Sequence, residues 1–165
     1  MAENIITLGL ANFPLVMLIL AFLYALIIPG KLATRLFAAM LLLCVGCGGI
    51  WGFVMHCFFT KIAAGNIGWA SSPFEFEVAL ANLALGITGL IAVFANWSFR
   101  SAVVVFTTVF LWGAAGGHIY QALLAGNFNP GNTGSILWTD IFIPLCLLLL
   151  LPFNYKKPVI NPYYY

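Results

Sequence analysis

The sequence GWASSPFEFEVALAN, residues 68–82, joins a polar loop to an apolar segment and places two carboxylates at the junction. Ser72 fits the N-cap of a helix that begins at residue 73, with a proline at the first helical position and Glu75 at the third. This is the spacing of a capping box. We therefore expect Ser72 and Glu75 to cap the helix, and Glu77 and Asn82 to lie further along it.

The composition around this stretch is that of a membrane protein. The chain has 165 residues, of which 64% are hydrophobic and 6% are charged, and its mean hydropathy is +1.09. Soluble domains carry about 25% charged residues, so only lipid can solvate this much apolar surface. The net charge of +2 comes without a basic run, which argues against nucleic acid as a partner.

Five apolar segments are long enough, or nearly so, to cross about 30 Å of hydrocarbon. They predict an all-α, polytopic membrane helix bundle that forms a single transmembrane domain over residues 1–165. The segments cover about residues 5–28, 36–60, 73–97, 101–124 and 135–153. The last contains Pro144, which predicts a kink. A four-span bundle in which this last segment is re-entrant is the alternative.

The basic residues predict the orientation of the bundle. With five spans, Lys61 lies on one side of the membrane. The other side carries Lys31, Arg35, Arg100, Lys156 and Lys157. This five-to-one division places the amino terminus outside and the carboxyl terminus in the cytoplasm, because cytoplasmic loops carry the excess of Lys and Arg.

Small residues on three of the spans indicate close packing between helices, because they allow helix backbones to approach in lipid. In the third span, Asn82, Gly86 and Gly89 share one face. The other two groups are Gly46, Gly48, Gly49 and Gly52 in the second span and Gly113, Ala114, Gly116 and Gly117 in the fourth. We expect these three helices to be central.

Four ionisable side chains on four different spans fall at the same predicted depth. They are His56, Glu77, His118 and Asp140, each about four to six residues from the outer end of its span. At a rise of 1.5 Å per residue, they lie about 6–9 Å inside the boundary. Charged groups at such a depth usually face the bundle and pair with one another. We therefore expect a buried polar network of Glu77, Asn82, His118, Gln121 and Asp140.

The same side chains allow two sharper interpretations. Two imidazoles and two carboxylates suit Zn, Cu or Fe, which predicts a metal site at Glu77, His118, Asp140 and His56. A proton relay through these groups is the other interpretation. The sequence carries no motif that pairs a nucleophile with its base, and its C-x-x-C at residues 44–47 lies deep in the second span. A non-enzymatic protein is therefore favoured.

A set of short motifs extends from the opening stretch to the last span. They are Gly68-Trp69, Ser72-Pro73-Phe74-Glu75, Glu77, Ala81-Asn82-Leu83, Gly117-His118, Pro130-Gly131-Asn132, Gly134, Thr139-Asp140-Ile141 and Pro144. In these motifs, residues 68–150 resemble a family of small bacterial inner-membrane proteins of unknown function. The resemblance implies a bacterial inner-membrane location and no particular activity. It also implies that Glu77, Asn82, His118, Asn132 and Asp140 belong to the family's pattern.

Two functional hypotheses follow from these observations. In the first, the protein is a structural or accessory subunit of a larger membrane assembly or of a homo-oligomer. Its partners are then lipid and other membrane subunits or further copies of itself, and the polar cluster holds the helices together. In the second, the protein binds a metal or small ligand, or transports protons or ions, through the cluster near its outer face.

Overall fold

The computed structural model describes residues 12–155, and this part of the chain is helical and contains no strand. Four helices are long and apolar enough to cross a membrane: Leu32–Phe58, Phe74–Ala92, Trp97–Ala125 and Pro130–Leu150. A shorter apolar helix, Phe13–Ile27, precedes them. The predicted all-α bundle is confirmed, with four helices of spanning length and one shorter helix. The start of the predicted first span, Lys156 and Lys157 lie outside the described residues.

The helices are labelled in chain order. They are α1 (Phe13–Ile27), α2 (Leu32–Met40), α3 (Gly48–Phe58), α4 (Thr60–Ile67), α5 (Phe74–Ala92), α6 (Trp97–Ala125), α7 (Pro130–Thr133) and α8 (Ser135–Leu150). A π-helix, Leu41–Cys47, joins α2 to α3 within one continuous span, and a 3-10 helix, Pro152–Asn154, follows α8. Pro144 lies inside α8.

Helices α3 and α5 approach each other closely because their glycines face one another. A Cβ atom on Gly49 would lie 2.5 Å from the backbone nitrogen of Gly86. A Cβ on Gly89 would lie 2.7 Å from the backbone nitrogen of Gly46. Such distances are below van der Waals contact, so only glycine allows this pair of backbones to meet. The predicted packing of the second span against another central helix is confirmed.

At two of its four small residues, the fourth span differs from the prediction. A Cβ on Gly113 or Gly116 would meet no atom of residues 12–155 within 4 Å. These two glycines therefore make no close approach to another helix. Small residues on one face show that an approach is sterically allowed, but they do not show that a neighbouring helix uses that face.

The tightly packed apolar core lies in the half of the bundle where α2 begins. Phe37, Met40, Leu41 and Leu147 are each 0% exposed there. Arg100 closes α5 in the same half, because its Nε donates to the carbonyl of Ala92 at 2.9 Å. The opposite half contains His118 and Asp140, and a layer of loops covers it.

Candidate functional site

The loop layer consists of residues 60–73 and 126–134, and asparagine side chains join its two parts. Helix α4 ends at Gly68, whose φ of 79° lies in the left-handed region that favours glycine. Beside this turn, Asn127 donates its Nδ2 to the carbonyl of Ile67 at 2.9 Å. The two loops therefore form one connected layer over the ends of α3, α5, α6 and α8.

Asn132 connects the loop layer to α6 and is 0% exposed. Its Oδ1 accepts hydrogen bonds from Trp69 Nε1 at 3.1 Å and from His118 Nδ1 at 2.8 Å. Its Nδ2 donates to the carbonyls of His118 at 3.0 Å and Asn127 at 2.9 Å. Since the amide nitrogen is committed to two carbonyls, the amide oxygen must be the acceptor toward the imidazole. The Nδ1 atom of His118 therefore carries the proton.

The second nitrogen of this ring faces a carboxylate. Nε2 of His118 lies 3.9 Å from Oδ2 of Asp140, and the two residues are 4% and 9% exposed. A neutral imidazole that is protonated at Nδ1 presents Nε2 as an acceptor. The distance is longer than a hydrogen bond. The two groups thus face each other across a gap without a direct hydrogen bond.

His118 and Asp140 lie on the wall of a cavity of about 330 Å³ in the centre of the bundle. Every helix except α2 and α7 contributes to its lining, and so does the π-helix, through Cys44 and Val45. π-Helical turns inside α-helices are frequent at functional sites. Most of the lining is apolar. Its polar side chains are His56, Asn66, Asn82, Thr107, His118 and Asp140, and among the described residues no lysine or arginine lines it.

A second histidine and carboxylate meet at the edge of this cavity. Nδ1 of His56, which is a lining residue, lies 3.9 Å from Oε2 of Glu75. Both atoms are buried and have no hydrogen-bond partner within residues 12–155. The other carboxylate oxygen of Glu75 accepts from the backbone N–H of Ser72 at 3.2 Å, and Phe74 N–H donates to Ser72 Oγ at 3.2 Å. Glu75 therefore binds the start of α5 with one oxygen and faces His56 with the other.

Some of the predicted polar residues line the cavity, and others lie outside it. Asn82, His56, His118 and Asp140 all line the cavity. Glu77 is exposed, and Gln121 is half-buried outside the lining. Two steps along a helix turn a side chain by about 200°, so Glu75 and Glu77 point to different sides of α5. The expected inward position of Glu77 is therefore corrected: Glu75 is the glutamate that faces the bundle.

The predicted set of metal ligands is not assembled. In the part of the chain from residue 12 to residue 155, no three His, Cys, Asp or Glu side chains are placed to hold one metal ion. His118 and Asp140 lie close together, whereas Glu77 lies on another face of α5 and His56 is paired with Glu75.

Two functional side chains were not predicted for the polar network. Asn132 follows a Pro-Gly pair that begins α7, and Trp69 precedes the capping box. The sequence signal for Asn132 is its position after this turn, where an amide side chain often bonds nearby backbone. The partner across the loop layer, His118, cannot be read from that local pattern.

Comparison with known proteins gives one match. No curated protein and no solved structure matches the chain. A family model described as a family of unknown function, DUF6790, matches residues 11–159. The resemblance to an uncharacterised family is therefore confirmed. Because the match covers most of the chain, this protein belongs to the DUF6790 family of unknown function.

Proposed function

We propose that this protein binds a small organic molecule inside the membrane, in the cavity between its helices. The observation that carries the proposal is a mostly apolar cavity of about 330 Å³ lined by His56, His118 and Asp140. Small-molecule sites are typically apolar cavities of a few hundred Å³ with a small number of convergent polar groups. The four long apolar helices indicate a membrane protein.

The volume limits the size of the ligand. A cavity of about 330 Å³ lies at the lower end of the range typical of small-molecule sites, about 300–1,000 Å³. A ligand of roughly ten non-hydrogen atoms fits this volume. Phe110 and Trp51 in the lining favour an apolar or aromatic body.

The orientation is part of the proposal. Lys31, Arg35 and Arg100 belong to the half of the bundle opposite the loop layer, and Lys61 belongs to the loop layer. The positive-inside rule then supports an outer position for the loop layer in a bacterial inner membrane. We expect a membrane-impermeant maleimide to label Ser71→Cys in intact cells more than the wild type, which has four cysteines of its own. Labelling that requires lysis of the cells would contradict this orientation.

The binding experiment compares two variants of the same helix. Ala114 lines the cavity, whereas Ala102 is exposed on α6 and lies outside the lining. Phenethyl alcohol, which is close to the volume limit, is titrated by calorimetry into nanodiscs that contain the protein and into empty nanodiscs. We expect saturable binding to the wild type and to Ala102→Phe, and its loss in Ala114→Phe. Equal binding by both variants would overturn the proposal.

The alternative of an accessory subunit gives another outcome. It predicts a fixed oligomer or a bound partner, and an empty cavity, when the extracted protein is weighed by native mass spectrometry. The proposed function predicts bound small molecules that are displaced by the Ala114→Phe substitution. The same pair of variants therefore separates the two hypotheses.

A further inference from the structure

We infer that the ligand carries a primary ammonium group, which is held between His118 and Asp140. The inference rests on the proposed function, because it concerns the polar end of the molecule in the same cavity. Its basis is the hydrogen-bonding state of the polar side chains in the lining.

The pair at the centre of the site offers acceptors. Asn132 uses the Nδ1 proton of His118 in the 2.8 Å hydrogen bond, so Nε2 presents a lone pair toward Asp140. An ionised carboxylate only accepts hydrogen bonds. Within the described residues, the side chain of Asp140 makes no hydrogen bond of its own. A ligand that binds Asp140 in its ionised form must therefore donate.

Two other polar side chains in the lining have each committed one donor to the backbone. The hydroxyl of Thr107 donates to the carbonyl of Val103 at 2.8 Å. The Nδ2 of Asn82 donates to the carbonyl of Val78 at 2.9 Å. Their oxygen atoms keep lone pairs for a ligand. Asn82 also keeps its second N–H, and Thr107 lies eleven residues along α6 from His118, about 16 Å away. Neither side chain is therefore assigned to the ammonium group.

The charge of the cavity leads to the same ligand class. No lysine or arginine of the described chain lines it, so the lining offers Asp140 no permanent countercharge. Ionising a buried carboxyl group without a partner is costly, and a cation opposite it offsets that cost. The ligand's positive charge supplies this compensation.

The spacing favours an ammonium group over a hydroxyl group. The two acceptor atoms are 3.9 Å apart, and N–H donors sit about 2.9 Å from their acceptors. A single nitrogen can therefore bridge both atoms. An ammonium group has three N–H donors, whereas a hydroxyl group has one and can satisfy only one of the two acceptors.

The test compares three aromatic probes of similar size: phenethylamine, phenethyl alcohol and phenylacetate. They are titrated into the full chain in phosphatidylcholine nanodiscs, whose headgroup has no N–H donor. We expect the amine to bind about tenfold more tightly than the alcohol, because charge-assisted hydrogen bonds are stronger. We expect phenylacetate to bind most weakly.

Two variants test the role of the carboxylate. Asp140→Asn should lower amine affinity about tenfold and alcohol affinity much less, whereas Glu77→Gln, outside the cavity, should change neither. Retained alcohol binding shows that the Asn variant is folded. If no probe binds the wild type, the proposed function fails. If the alcohol binds and the amine has no advantage, or keeps its advantage in Asp140→Asn, the ammonium inference fails and the proposed function stands.

The same ammonium group occurs in free amines and in the phosphatidylethanolamine headgroup. Repeating the titration in nanodiscs that contain this lipid separates the two sources. A weaker apparent affinity for phenethylamine would identify the headgroup as a competitor, and an unchanged affinity would identify a free amine. Both results support a primary ammonium ligand. If the wild type binds phenethylamine and phenethyl alcohol with nearly equal affinity, in nanodiscs of either lipid, the ligand is not a primary ammonium compound.

Discussion

Replacing Asn132 by alanine is the most direct test of how the loop layer is attached to the bundle. The substitution removes four hydrogen bonds at once, to Trp69, to Asn127 and to both the ring and the carbonyl of His118. Asn132 is 0% exposed, so water does not readily replace these bonds. The variant should loosen the contact between α6 and the loop layer.

The magnitude follows from the number of bonds. A typical intramolecular hydrogen bond contributes about 0.5–1.5 kcal/mol net, so four of them amount to about 2–6 kcal/mol. A buried partner that is left unsatisfied keeps its desolvation cost of about 1–3 kcal/mol. The expected loss therefore lies in the upper part of the range of about 2–6 kcal/mol. We expect the free energy of unfolding to fall by about 3 kcal/mol or more.

The assay combines reversible unfolding in mixed micelles with nitrogen-15 NMR of the histidine rings. In the wild type, His118 should show the tautomer protonated at Nδ1, because Asn132 Oδ1 accepts that proton. In Asn132→Ala this preference should be lost. Thr133→Ala is the control, since Thr133 makes only a 3.4 Å side-chain bond within the loop layer, and it should change stability by less than about 0.5 kcal/mol. A loss below about 1 kcal/mol in Asn132→Ala, or an unchanged tautomer, would refute the reasoning.

Three further predictions concern the helix packing and the helix ends. Gly86→Ala places a Cβ 2.7 Å from a backbone nitrogen of α3 and should lower the unfolding free energy by about 1–3 kcal/mol. The control is Gly113→Ala, whose Cβ faces open space. Equal losses of stability in the two variants would contradict the described packing. Glu75→Ala should lower the unfolding free energy by about 1 kcal/mol in the same assay, whereas Glu75→Gln should retain it because glutamine keeps the capping box. Similar losses of stability in the two variants would argue against a capping role. Arg100→Gln removes two hydrogen bonds to carbonyls at the end of α5 and should lower the unfolding free energy by about 2 kcal/mol or more. The loss should appear as a lower melting temperature. The matched substitution Lys61→Gln, at an exposed position, should leave the melting temperature unchanged.

The fold was predictable from the sequence because the lipid environment sets simple rules. Apolar segments of spanning length predict helices, and the glycines of the second and third spans predict a close pair, which Gly49 and Gly86 form. The same rule was wrong at Gly113, since small residues also occur where no helix approaches. The π-helix at Leu41–Cys47 had no signal, because an extra residue per turn depends on how neighbouring helices pack.

The site was predictable in depth but not in direction. Counting residues from the ends of the spans places His118 and Asp140 at one level, and the structure brings them to 3.9 Å. The same count included Glu77 and assigned Glu75 to the helix cap alone. Direction around a helix changes by about 100° per residue, so depth alone does not decide which of two nearby glutamates faces inward. Glu75 also shows that one carboxylate can serve two roles, because its two oxygens face different partners.

One amide group of the loop layer acts on the cavity without lining it. Asn132 belongs to α7, yet its oxygen decides which nitrogen of His118 carries the proton, and so decides that an acceptor faces Asp140. If the loop layer moved away, the ring could place a proton on Nε2 and donate to Asp140 itself. The site would then offer a ligand one acceptor fewer, and its preference for a donor would weaken. The specificity of the cavity therefore depends on loop residues that do not line it.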